Sequence, residues 1–293
     1  MVDLDLPVEL AWDAKCETGE SCTWDAVRAR VLFCDIPAGV IHAFSVADGA
    51  RRSWTLPGLV ASFGVCRSGR LVVALRDRVV LFDTKTEQVT PLAGPLDQPA
   101  TVRLNDGKVG PDGCFWVGGR DESPAKTAEA PLWRITPDGR AERKAEGYQT
   151  CNGLAWSPDA TVMFHTDSRR GRLDAWDFDA ATGAIANRRE LVTLSEAQGR
   201  PDGGATDAEG CYWSAGTSAG CINRLSASGE LLARVMLPVP APSMPCFAGD
   251  WIYVTTLREG RPRALLDANP TMGGLFRFRA PVAGAPVGLF ADI

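Results

Sequence analysis

Four short polar segments hold the residues of this chain that could do chemistry together: Gly19-Glu20-Ser21-Cys22-Thr23-Trp24, Arg103-Leu104-Asn105-Asp106-Gly107-Lys108, Cys151-Asn152-Gly153-Leu154-Ala155-Trp156 and Pro201-Asp202-Gly203-Gly204. Each carries carboxylates or amides beside glycine, and each stands shortly before a β-rich run. Only two histidines are present, His42 and His165, so a multi-histidine zinc site or a histidine relay lacks its parts. Oxygen donors and carboxylates must carry any catalysis. Read singly, each segment is a solvated acid or a turn, because Asn-Gly and Asp-Gly pairs suit tight turns. Only their convergence would make a site.

Other chemistries find little support. Gly216-Thr217-Ser218-Ala219-Gly220 matches G-x-S-x-G, yet it falls between two strands of one hairpin rather than between strand and helix, so it reads as a glycine-rich turn. No P-loop, dinucleotide fingerprint or EF-hand spacing occurs. The nine cysteines are scattered without a CxxC, which suits reduced and mostly buried thiols. Cys22 and Cys151 adjoin the polar segments but are read as structural. With 31 Lys+Arg against 36 Asp+Glu and a net charge of −5, the chain offers no basic stripe for a phosphate backbone, and no nucleic-acid partner is expected. No apolar run is long enough to span a membrane, and the start MVDLDLPVEL lacks the order of a signal peptide. A cytoplasmic location and no membrane partner are therefore expected.

The elements that must position these residues are strands. VLFCDI, LVVALRD, CFWVGGRD, VMFHTDS, CYWSAGT and WIYVTTL return at intervals of about 40–50 residues, the range of propeller blades. Turns such as Ser68-Gly69, Asp112-Gly113 and Glu209-Gly210 precede several of them, and a second strand follows, as in VVLFDTK and PLWRITPDG. Helical periodicity is nearly absent. The pattern predicts an all-β, six-bladed β-propeller forming one domain over residues 1–293, with any metal site in the central tunnel. A β-sandwich prefers shorter spacing and a β-helix shorter repeats. The stretch PVELAWDA lies ahead of the first full unit and is expected to pair with the last blade, closing the ring and protecting a sheet edge.

Taken in order, the four segments resemble the family of gluconolactonases and regucalcin, the senescence marker proteins, whose segments read approximately GEGPxW, RxNDGKxD, SNGLAWS and PDGxxxD. The match runs along essentially the whole chain. It continues in Asp207-Ala208-Glu209-Gly210 and in Pro245-Cys246-Phe247-Ala248-Gly249. The resemblance implies that Glu20, Asn152 and Asp202 coordinate one divalent metal, while Arg103 and Asn105 orient substrate. It also implies a further acidic substrate contact, for which Asp121 and Glu122 are the neighbouring choices and Glu122 is taken provisionally. Two departures stand out: Ser21-Cys22 replaces the family's Gly-Pro, and Gly110 stands where an aspartate commonly follows NDGKV.

Two carboxylates and an amide carbonyl are hard oxygen ligands, which suit Ca²⁺ first, with Mg²⁺, Mn²⁺, Zn²⁺ or Fe²⁺ as alternatives. The expected activity is hydrolysis of a small-molecule sugar lactone to its aldonic acid, the cation polarising the carbonyl and Asp202 acting as general base. Activation of the water by the cation itself stays open. Trp24, Trp116 and Trp156 could line a sugar site, but such tryptophans more often fill the core between blades. A monomer or weak homo-oligomer is expected. The competing functions are a calcium-binding regulator without catalysis, a metal-dependent phosphoester or organophosphate hydrolase, and an interaction scaffold.

Overall fold

The computed structural model describes residues 1–127 and 129–293. Its strands group into six sheets, each built on a meander, and two of them gain an outer strand from the N-terminal residues. The innermost strands are Gly19–Asp25, Ser62–Val65, Val102–Val109, Cys151–Trp156, Pro201–Thr206 and Pro242–Ala248, and each packs beside the next around a central tunnel. The fold is the expected six-bladed β-propeller. The β-rich runs that mark the repeat in the sequence form the second strand of each blade, as in Arg30–Asp35 and Trp251–Thr256.

Apolar side chains fill the six gaps between blades. One cluster joins Leu32, Ile41 and Trp54 of the first blade to Phe63, Val73 and Phe82 of the second. Another sets Trp116 of the third blade against Trp156 and Phe178 of the fourth, with edge-on ring contacts at 5.7–6.2 Å. No single blade could bury these faces alone, so the ring is the folding unit. A six-residue helix, Arg263–Ala268, sits in the last blade's long connection. Among the described residues no helix is long and apolar enough to cross a membrane.

The ring is closed as the sequence indicates. Glu9–Trp12 is the outer strand of the sixth blade, antiparallel to Leu275–Arg279. Two further features go beyond that expectation. Val2–Asp3 adds a parallel fifth strand to the fifth blade beside Leu231–Met236. The last residues cross the lower end of the propeller: Ala285 N donates to Thr206 O in the fifth blade, and Phe290 N donates to Val65 O in the second.

Candidate functional site

The four polar segments do not precede the inner strands, as the sequence suggests; they lie within them. What turns their side chains into the tunnel is a break in pairing. Register shifts fall at Glu20/Thr23, Leu104/Gly107, Asn152/Ala155, Pro201/Gly204 and Pro242/Met244. The inner strand of the second blade, Ser62–Val65, pairs regularly and supplies none of the polar segments. A bulge lets neighbouring residues leave the in-out alternation and re-aims a side chain. Ser21 and Gly153, each just after a site residue, adopt positive φ of 56° and 63°. At Gly153 a Cβ would also lie 2.2 Å from Tyr212 Oη, so glycine is required there for two reasons.

These bulges bring Glu20, Asn105, Asp106, Asn152 and Asp202 to the wall of one cavity of about 410 Å³ at one end of the tunnel. Asn152 Nδ2 donates to Asp202 Oδ1 at 2.7 Å and to Ser168 Oγ at 2.7 Å. Asn105 Nδ2 donates to Asn152 Oδ1 at 2.8 Å and to the Cys151 carbonyl at 3.0 Å. Behind it, Arg103 Nη1 donates to Asn105 Oδ1 at 2.9 Å, and Arg103 Nε donates to Glu122 Oε1 at 2.9 Å. Glu122 is held on its far side by Arg76 at 2.8 Å. The chain from Arg76 to Asp202 is thus one continuous hydrogen-bonded row that fixes each amide.

The electrostatics are dominated by buried acids. Burial pushes the Glu20 carboxyl well above its ordinary range, and the nearby charges of Asp202 and Asp106 push it further. Asp202 is raised to about 7, chiefly by burial, against a lowering contact from the Thr217 hydroxyl. Burial also raises Asp106, although Lys108 and backbone N–H groups oppose this. Asp106 Oδ1 is buried without a hydrogen-bond partner. Three carboxylates whose charge is disfavoured by burial, two of them raised further by a neighbouring acid, are the environment a cation would relieve. Among the described residues no three of His, Cys, Asp and Glu form a ready cation cage.

The structure gathers Glu20, Asn105, Asn152 and Asp202 at the cavity, as the sequence implies, and sets Arg103 and Glu122 in the row behind. Of the two neighbouring acids, buried Asp121 lines the cavity, while Glu122 braces Arg103. Asp106 and Thr217 are additions. Asp106 stands next to Asn105 in sequence, and only the bulge brings both to the same cavity. Thr217 lies in the G-x-S-x-G turn, so that segment serves the site through its threonine rather than its serine. Trp116 and Trp156 belong to the core between blades, and Trp24 packs against the core between the sixth and first blades. All nine cysteines are free and eight are buried, Cys22 and Cys151 among them.

Comparison with known proteins agrees along the whole chain. Residues 18–258 match the SMP-30/Gluconolactonase/LRE-like region. The chain is 36% identical over 279 residues to the 6-deoxy-6-sulfogluconolactonase of Pseudomonas putida, spanning 93% of this chain and 94% of that protein. It is 31% identical over 280 residues to regucalcin of Homo sapiens, again spanning 93% and 94%. The solved structure of the calcium-binding protein regucalcin from Agrobacterium tumefaciens superposes with a TM-score of 0.91 at 23% identity, over 99% of each chain, a likeness of fold. By its sequence the chain belongs to the SMP-30/gluconolactonase/LRE-like family.

Proposed function

We propose that this protein hydrolyses a sugar lactone to the corresponding aldonic acid and depends on one divalent cation, with Glu20, Asn152 and Asp202 as its ligands. The observation that carries this reading is the burial of Glu20, Asp106 and Asp202 around one cavity, with their charges disfavoured and one Asp106 oxygen unpartnered. Similarity to a sulfogluconolactonase supports the choice of a lactone, and similarity to proteins named regucalcin supports a divalent metal, Ca²⁺ first.

The donor set fits such an ion: two carboxylates plus the Asn152 amide, whose oxygen can face Asp202 after rotation of its terminal torsion. When bound, the cation supplies Lewis-acid polarisation of the lactone carbonyl. The remaining work falls to the protein. Asp202 accepts the proton of the attacking water, and Thr217 holds one of its oxygens in place. Asn105 faces the cavity and positions substrate hydroxyls. Arg103, clamped by Glu122, fixes Asn105 and supplies positive potential for the carboxylate that ring opening creates.

The test is acid release from a panel of pentono- and hexonolactones. Metal-stripped protein is reloaded separately with Ca²⁺, Mg²⁺, Mn²⁺, Zn²⁺ and Fe²⁺, beside Asp202→Ala, with background hydrolysis subtracted. Metal-dependent turnover that Asp202→Ala abolishes is the expected result. Cation binding without turnover on any lactone would favour a calcium-binding regulator instead. Turnover indifferent to metal removal would overturn the ligand set.

A further inference from the structure

The cavity wall carries more positive charge than lactone hydrolysis requires. Arg120, Lys126, Arg169, Arg200 and Arg261 all line it, and they come from the third, fourth, fifth and sixth blades. The acids on the same wall are Glu20, Asp106, Asp121, Asp202 and Glu259. Resting on the lactonase reading, a divalent cation answers Glu20, Asp106 and Asp202. Five basic and five acidic side chains balance on this wall, so the charge of a bound divalent cation leaves it two positive charges in excess.

Two of these cations, Arg200 and Arg261, line the same cavity and repel each other. Burial and the neighbouring Arg200 charge both disfavour the charged form of Arg261, while Asp202 favours it. The Arg261 Nε is buried without a hydrogen-bond partner. Among the described residues, the ion pair of Arg200 is with the exposed Glu196, at 3.5 Å. Across the mouth, Arg120 lies 3.9 Å from Glu259, beyond hydrogen-bond reach, while Glu259 accepts from Thr18 Oγ1 at 3.0 Å. A guanidinium with a buried, unused donor near a like charge costs stability unless something negative completes it, and an oxyanion matches its fork geometry. Glu259, an acid on a connection of the blade opposite Arg120, already shows that the mouth draws a negative group.

We propose that the substrate is a sugar lactone bearing a fixed oxyanion remote from its carbonyl, held between Arg200 and Arg261 on the wall formed by the fifth and sixth blades. Sulfonate, phosphate and carboxylate share the required chemistry. Arg120 and Arg169 add long-range attraction that steers the anion into the mouth.

The experiment compares kcat/KM of the metal-loaded wild type on a neutral hexonolactone with that on hexonolactones carrying a sulfonate, a phosphate or a carboxylate at C6. At least one anionic lactone is expected to be preferred by about 100-fold, since two charge-assisted contacts are at stake. Which of the three leads identifies the anion. Arg261→Met is expected to reduce the ratio of anionic to neutral kcat/KM by about tenfold, with a melting temperature close to that of wild type. Equal or better use of the neutral lactone would overturn the anion site and leave the lactonase reading standing. Should no lactone be turned over, the lactonase reading fails by itself, and calorimetry of gluconate against 6-phosphogluconate decides the anion site. Tighter binding of the phosphorylated acid that Arg261→Met abolishes supports it; equal binding sinks it.

Discussion

Glu20 is a residue unfavourable for the fold that nevertheless faces the cavity. It is 7% exposed, accepts a hydrogen bond from the Ser21 backbone at 3.0 Å, and shares the tunnel with Asp106 and Asp202. Without a cation, burying its charge beside theirs costs stability. Glu20→Gln is therefore expected to raise the melting temperature of the metal-stripped protein by about 2–4 °C, corresponding to about 1 kcal/mol. The same change should remove the rise that a divalent cation gives the wild type and lower kcat/KM by about 100-fold or more. Differential scanning calorimetry with and without cation reads both signs; a variant less stable than wild type in the stripped state would contradict the repulsion. At this scale the sequence indicates which residues meet, since Glu20, Asn105, Asn152 and Asp202 line one cavity. It was silent on Asp106, because adjacent residues of a regular strand face opposite ways and only a bulge brings both to one cavity.

Strands and bulges decide which of these residues meet. Gly153 occupies the bulge beside Asn152, with Tyr212 Oη donating to its carbonyl at 2.8 Å. Gly153→Ala is expected to displace the Asn152 amide and cut kcat by about tenfold or more, because the added methyl meets Tyr212 and the positive φ is strained. The activity assay checks this, and Gly147→Ala, at another positive φ with open space around it, is the matched control for backbone strain. A second element-scale consequence lies in Val162–Asp167, where His165 is fully buried with both ring nitrogens unpartnered, edge-on to Tyr148 at 4.3 Å. Burial, then Arg188 and Arg172, lowers its pKa to about 3. The unfolded chain binds this proton below about pH 6.5 and the folded chain does not, so stability present above that pH is lost as pH falls. By pH 5 the loss from this one group is about 2 kcal/mol. Denaturant titrations at pH 7 and pH 5 should show His165→Phe shedding that part of the acid sensitivity; an unchanged pH dependence would refute it. The strand repeat is legible because the second strand of each blade carries a short run of apolar, β-prone residues, as in RVLFCD and VMFHTD. The bulges are not, since they follow from how the inner strands pack around the tunnel rather than from any local residue pattern.

The whole ring is closed twice, and the sequence indicated one closure only. The pattern of PVELAWDA reads as a strand and pairs with the last blade. Residues 281–293, rich in proline, glycine and alanine, carry no strand periodicity, yet they strap the lower end of the propeller. Their anchor is Phe290, fully buried in the cluster between the second and third blades with Leu104, Phe115 and Val117. Phe290 O accepts from Arg67 N at 2.9 Å, Ala291 N donates to Gly113 O at 3.0 Å, and Asp292 holds Arg70 at 2.8 Å. The strap thus ties the fifth blade to the second and third across the tunnel. In between it covers a small cavity of about 100 Å³ that Lys108 and Trp156 also line, and Lys108 in turn donates to the Gly204 carbonyl, two residues from Asp202. Truncating the anchor leaves a cavity that the rigid blades cannot collapse, so Phe290→Ala is expected to cost about 3–5 kcal/mol. For a chain of this size that corresponds to a fall of about 6–12 °C in melting temperature. Because the upper cavity is built from the bulged inner strands, the metal-dependent stabilisation should survive in Phe290→Ala at temperatures below the transition. Hydrogen exchange should quicken first at Ala285, Phe290 and Ala291, whose N–H groups donate to the blades, and at Arg67 and Ala208, whose N–H groups donate to the strap, before it quickens at Asn152 or Asp202. Simultaneous loss of protection at both ends would instead mean that the ring opens as one cooperative unit and that the strap is part of its closure rather than a separate brace.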